Sequence, residues 1–385
     1  MRWCGDRGFS LVEALVTTLL LMLLVSGILG VLQPAYGMFL VQPERQDLQQ
    51  RLRAAVEMLA HDLGTAGAGP ALGPLAGPLL RHLPPVLPYR LGERHSDPGA
   101  GVFHRPDVVT ALHVPPDAPV ALVDGYTVQG TAASIDTGAC LTATGLCRFA
   151  TDMRVLLVDA AGRTAFATIS LVDPAVLTVE GRYLDANLDP ATAIVAQVQM
   201  DTYARGWDAA GTTPRLTREG PSGVAQPAVD HVVDLAFEYD GEPVPPALLS
   251  GGTATTYGPA PPPVGVDDAR DTWPAGENCL FAVAGGVHVP RLPALGPGGM
   301  VPLPAAMLTD GPWCPDAGSP TRFDADLLRV RMVTVALRLQ VGPATMRGPA
   351  GPRFRIAGQG RNSARLVPDE QVRFHVAPPN LRAAP

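Results

Sequence analysis

The sequence predicts an α+β protein: one long N-terminal helix, apolar and then amphipathic, packed on a large antiparallel β-rich head with irregular Pro/Gly-rich loops. Three observations carry that prediction. Residues 9–32 hold 17 hydrophobic residues in 24. Leu48, Leu52, Val56, Leu59 and Leu63 then recur at spacings of 4, 4, 3 and 4. From Asp107 onward, short β-type runs alternate with turn residues. The 385 residues are enough for a sizeable core. The 41 Gly and 41 Pro follow no three-residue period, which excludes a collagen-like chain. With 46% hydrophobic and only 17% charged residues, wholesale disorder is excluded as well. A net charge of -7, a pI near 5.6 and basic residues that are all Arg argue against a general nucleic-acid binder.

The apolar segment has the length of a membrane span. Ala14–Leu32 is 19 residues, about 28 Å of helix against a bilayer core of roughly 30 Å. Arg2 and Arg7 precede it, so the positive-inside rule keeps the first residues in the cytoplasm and exports the chain beyond Leu32. Glu13 is the one charged residue between Phe9 and Pro43. A carboxylate near the centre of a membrane helix costs roughly 2.5–3.5 kcal/mol, so it needs a purpose or a partner. Pro34 and Pro43 are expected to interrupt or kink the helix. Beyond them the leucine stripe faces the head, while Arg51, Arg53, Glu57 and Asp62 read mostly as a solvated face. Gly64, Gly67, Gly69 and Pro70 end the helix.

The stretch RGFSLVEALV, with Gly8, Phe9, Leu11, Val12, Glu13 and Leu15, resembles the type IV prepilin leader. The stretch RLRAAVEMLAHDLGTAGAG resembles large minor pilins of the PilW family, as do RVLLVDAAGRTAFATI, AQVQMDTYAR, VVDLAFEYDG and RVRMVTVALRLQV in that order. The resemblance implies cleavage between Gly8 and Phe9 by a prepilin peptidase, N-methylation of Phe9, and a role for Glu13 in pairing with a neighbour's α-amine during assembly. It implies a minor pilin, incorporated at low abundance at a tip or priming complex. Its partners would be the peptidase, other minor and major pilins, the inner-membrane assembly platform and membrane lipid. The head would lie in the periplasm and then on the pilus. Two other readings share these residues: a minor pseudopilin of a type II secretion system, and an adhesin or DNA-uptake receptor carried on a pilin stem. The family more often ends Pro-Arg-Asn-Leu. Here Pro378-Pro379-Asn380-Leu381 stands in its place, so no role of that Arg transfers.

On this reading residues 1–8 are the leader and 9–66 the helix, transmembrane over 9–32 and amphipathic over 44–66. Residues 67–106 are a Gly/Pro-rich connection and 107–240 the β-rich head. A Pro/Gly-rich insertion with little regular structure spans 241–320, and 321–385 return as strands. Strands are expected over Val108–Val114, Val120–Val123, Met153–Asp159, Ala165–Val172, Val176–Glu180, Ile194–Tyr203, Val229–Tyr239, Leu327–Val341 and Gln371–Ala377.

Cys4 falls in the leader, which leaves Cys140, Cys147, Cys279 and Cys314. An even number in an oxidising compartment reads as disulfides. Of the three pairings, Cys140–Cys147 with Cys279–Cys314 is favoured. No C-x-x-C or neighbouring His pair suggests a metal. Asp185, Asn187 and Asp189 alternate like the start of a calcium loop, but Pro190 and Ala196 stand where an EF-hand needs Gly and Glu, so an Asx-rich turn competes with it. No zincin, nucleophile-elbow or phosphate-loop motif occurs, and the eight His are scattered; neither catalysis nor a cofactor is expected. Charge is sorted: residues 185–319 carry 5 Arg against 16 acids, and residues 320–385 carry 11 Arg against 4. Either the basic end binds an anion such as nucleic acid, or the two regions neutralise each other.

Overall fold

The computed structural model describes residues 10–90, 104–220, 223–246, 257–258, 260–267, 273–319, 321–347 and 367–382, without the side chains of 33–38, 40, 182 and 183. The expected leader, Gly8 and Phe9 lie outside these residues. The chain divides into two units, residues 1–52 with 339–370 and residues 53–338 with 371–385.

Helix α1 (Leu11–Thr65) runs on through Pro34 and Pro43, so of the expected interruption or kink the interruption does not occur. Each proline removes one backbone donor, whereas helix propagation is cooperative, so the long segments on either side outweigh it. Towards its C-terminal end Ala55, Leu59, Leu63 and Ala66 are fully buried, while Arg53 and Glu57 are exposed. Asp62 departs from the expected solvated face. It is only 7% exposed, because buried Tyr203 and half-exposed Arg218, far away in sequence, supply its donors.

An irregular segment follows the helix and inserts Leu79, Leu80, Leu83 and Tyr89 into the core. Gly69 is where this segment crosses itself: a Cβ there would sit 2.1 Å from the Gly77 carbonyl oxygen and 3.1 Å from the Leu79 nitrogen. Both neighbours are backbone and cannot swing aside. Gly69→Ala is therefore expected to destabilise the head by about 1–3 kcal/mol, read as a lower urea midpoint at unchanged slope.

The segment ends in β1 (Val86–Leu87), which pairs with β2 (Val108–His113). The chain then enters β3 (Val120–Gln129), β4 (Ala132–Cys140), β5 (Arg154–Val158), β6 (Thr164–Val172), β7 (Val176–Tyr183) and β8 (Ile194–Gln197). These six strands close into an antiparallel barrel of order β3-β4-β7-β6-β5-β8. Alternate residues point inward, namely Ala121 and Val123, Ala133 and Ile135, Val155 and Leu157, Ala165, Ala167 and Ile169, Leu177 and Val179. Small and β-branched side chains fill the interior, as a narrow barrel requires. Asp159-Ala-Ala-Gly162 makes the expected turn between β5 and β6, with the Gly162 N–H donating to the Asp159 carbonyl at 3.0 Å.

β9 (Gln199–Trp207), β10 (Pro214–Glu219) and β11 (Ala225–Asp230) complete a five-stranded sheet of order β1-β2-β9-β10-β11. The single strand expected over Ile194–Tyr203 is two. At Val198 the chain leaves the barrel for the sheet, its N–H donating to the Arg154 carbonyl at 3.0 Å. A second sheet has the order β15-β12-β18-β19, from β12 (Val232–Gly241), β15 (Val301–Leu303), β18 (Val330–Leu339) and β19 (Glu370–Val376). The insertion is more regular than expected. It contains the hairpin β13 (Phe281–Ala284) with β14 (Val287–Pro290), as well as β15 and β16 (Trp313–Cys314), which pairs with β17 (Phe323–Asp324). The strand expected from Leu327 begins instead as a 3-10 turn, Ala325–Arg329, before β18.

Candidate functional site

Leu11–Leu32 is 22 residues with none of its most apolar window buried, long and apolar enough to cross a membrane. Two of its hydroxyls are satisfied within the helix. Thr17 Oγ1 donates to the Glu13 carbonyl at 2.8 Å and Thr18 Oγ1 to the Ala14 carbonyl at 2.9 Å, which removes two hydroxyls from competition with an apolar solvent. At the helix start, the Glu13 N–H donates to Ser10 Oγ at 3.1 Å and the Ser10 N–H donates to Glu13 Oε2 at 3.4 Å. This reciprocal pair is a capping box, the S-x-x-E pattern of Ser10-Leu11-Val12-Glu13. It gives Glu13 a local partner and directs its carboxylate at the helix start. Ser10 was not singled out from the sequence, although the spacing that reveals it was present.

The two disulfides are Cys140–Cys147 and Cys279–Cys314, the favoured pairing of the three. Cys279 and Cys314 are fully buried. The calcium-like segment uses its oxygens on its own backbone. Asp185 Oδ1 accepts from the Asn187 N–H at 2.9 Å, Asp189 Oδ1 from the Ala191 N–H at 3.2 Å, and Asp189 Oδ2 from Thr192 Oγ1 at 3.3 Å. These contacts are those of Asx turns.

The sorted charges meet in the head, Arg331 and Arg338 from buried positions and Arg373 at the surface. Arg331 pairs with Glu242 at 2.9 Å, Arg373 with Glu238 at 2.6 Å and Arg338 with Asp234 at 3.8 Å. Each Arg comes from residues 320–385 and each acid from 185–319. The order β12-β18-β19 brings the two regions side by side, so three of the seven described Arg of the basic end face acids of the other region. Arg353, Arg355, Arg361 and Arg365 lie outside the described residues.

A group that the sequence did not reveal lies where the insertion meets β17. Asp310, Asp324 and Asp326 bring one carboxylate oxygen each within 4.8 Å of one another. Asp324 accepts the Gly311 N–H at 2.7 Å and the Asp326 N–H at 2.9 Å, and Asp326 lies 2.6 Å from Arg329 Nε. Burial pushes Asp324 up to about 7 and Asp326 up to about 6; the Arg329 charge opposes the second shift. Asp324 is committed to the backbone and Asp326 to Arg329, which makes the two parts of a structural hub. No motif spacing marks them in advance, since the tertiary fold assembles them. Compared with family models, curated proteins and solved structures, the chain has no significant match in any of the three.

Proposed function

We propose that the chain is a minor pilin of a type IV pilus, cut between Gly8 and Phe9, methylated on Phe9, and held in the inner membrane by residues 9–32 before entering a filament. The observation that carries this reading is Glu13, the one charge in an apolar segment otherwise suited to a bilayer, five residues after Gly8. The cost of placing a carboxylate there calls for a compensating role. The capping box supplies the first part: Glu13 neutralises the positive end of its own helix. Cleavage would free an α-amine on Phe9, next to Ser10, and the same carboxylate would then be aimed at the end of the helix where a neighbour's amine docks. The β-rich head and its two disulfides suit an exported domain.

Intact-mass measurement on the membrane-bound protein tests the processing. The chain should lose its first eight residues and gain one methyl group only when prepilin peptidase is present. Retention of those residues in the presence of the peptidase would overturn the reading. Glu13→Ala should be cleaved normally yet fail to co-purify with other pilins. Normal recovery of the partners would remove the pairing role.

A further inference from the structure

We propose that Asp62 and Asp201 form a carboxyl pair sharing one guanidinium and one exchangeable proton, so that the joint between α1 and the five-stranded sheet tightens as pH falls. The inference rests on the head alone and holds whatever machine the chain serves.

Asp62, near the end of α1, accepts at Oδ2 from Tyr203 Oη at 2.6 Å and faces Arg218 Nη2 at 2.8 Å. The same Nη2 lies 2.9 Å from Asp201 Oδ1. Asp62 is 7% exposed, Asp201 1% and Tyr203 not at all. Two buried carboxylates thus face one cation, which leaves a negative charge that the interior disfavours. Such a site neutralises by taking a proton. Asp62 Oδ2 already holds a phenol and a guanidinium. Asp201 Oδ2 instead faces the Gln199 side-chain amide, 3.2 Å away. That amide donates to an ionised Asp201 and, turned over, accepts from a protonated one, so both states are satisfied. Burial first, then the Asp62 charge, push Asp201 above the ordinary carboxylate range, against the pull of Arg218.

The other groups facing the pair do not supply the proton. Burial keeps the Tyr203 phenol protonated. His113 of β2, whose Nδ1 is 3.5 Å from Thr65 Oγ1, is pushed down by burial and by His61 and Arg218, with Asp62 opposing. Glu219 of β10 is turned towards Arg90 and Arg154. A carboxyl raised in the folded state contributes stability that is complete below its unfolded value and is lost as pH rises through the folded one.

The test is the thermal midpoint of the full chain in detergent micelles at pH 3.5 and pH 8. Asp324 and Asp326 titrate in wild type and variant alike, so the difference between the two proteins is the readout. Asp201→Asn should match wild type at pH 3.5, below the unfolded carboxyl value of about 3.9, and exceed it at pH 8 by about 2–4 °C, narrowing the gap between the two pH values. Asp62→Asn should melt lower at both. Should Asp201→Asn fail to fold, the Asp201 carboxyl-carbon resonance of the wild-type chain still decides the matter. A midpoint gap unchanged in Asp201→Asn, or an Asp201 carboxyl titrating at or below about 3.9, overturns the proposal.

Discussion

Replacing Arg329 by methionine is expected to cost the head about 3–5 kcal/mol at pH 8, the range for removing one partner of a buried charge pair. Arg329 is 2% exposed, and its guanidinium joins three stretches of chain. Nη1 donates to the Pro243 carbonyl at 3.0 Å, Nη2 to the Pro293 carbonyl at 2.6 Å, and Nε faces Asp326 at 2.6 Å. Methionine fills much of the volume but leaves those carbonyls without a donor and Asp326 without its cation. The loss is expected to be smaller at pH 5. Asp326 is already raised to about 6 with Arg329 present, and removing the cation raises it further, so acid neutralises the orphaned carboxylate. Urea unfolding at the two pH values measures both effects. Equal losses at pH 5 and pH 8 would show that Asp326 is not the group left uncompensated.

The second large effect concerns the buried disulfide. Cys279–Cys314 spans 35 residues and Cys140–Cys147 spans 7, so chain entropy assigns them about 4 and about 2 kcal/mol. The longer bridge ties the residues just before β13 to β16 within the insertion, and Trp273 supports it by donating to the Pro315 carbonyl at 3.0 Å. The Arg291 guanidinium stacks on the Trp273 ring at 4.5 Å and pairs with Glu277. Removing both Cys279 and Cys314 as alanines should therefore lower the urea midpoint more than removing Cys140 and Cys147. The reverse order would mean that the insertion is held chiefly by Arg329 and not by its cross-link.

Much of the organisation was legible before any coordinate. The buried leucines of the helix and the strands β2, β5, β6, β7, β12 and β19 show in the hydrophobic pattern of a few consecutive residues, although their packing partners lie far along the chain. The strands that escaped notice, β4, β10 and β11, are rich in Ala, Gly, Pro and charged residues. Pairing with a neighbouring strand makes them strands, since local preference does not. The insertion escaped in the same way, because β13, β15 and β16 are two to four residues long and owe their regularity to their partners.

What the sequence by itself determined is the apolar helix with a single carboxylate at its start, the β-rich character of the remaining chain, and the cysteines available for cross-linking. Hydrophobic periodicity and composition are local quantities, and these features are their direct expression. The tertiary structure alone decided that six strands close into a barrel while the strands on either side of them in the chain build a separate sheet. It also turned Asp62 from an apparent surface charge into half of a buried carboxyl pair, and made Arg329 the hub of the insertion. The reason is physical: a buried charge is tolerated only where distant segments deliver its partners, and no spacing along the chain records which segments will meet.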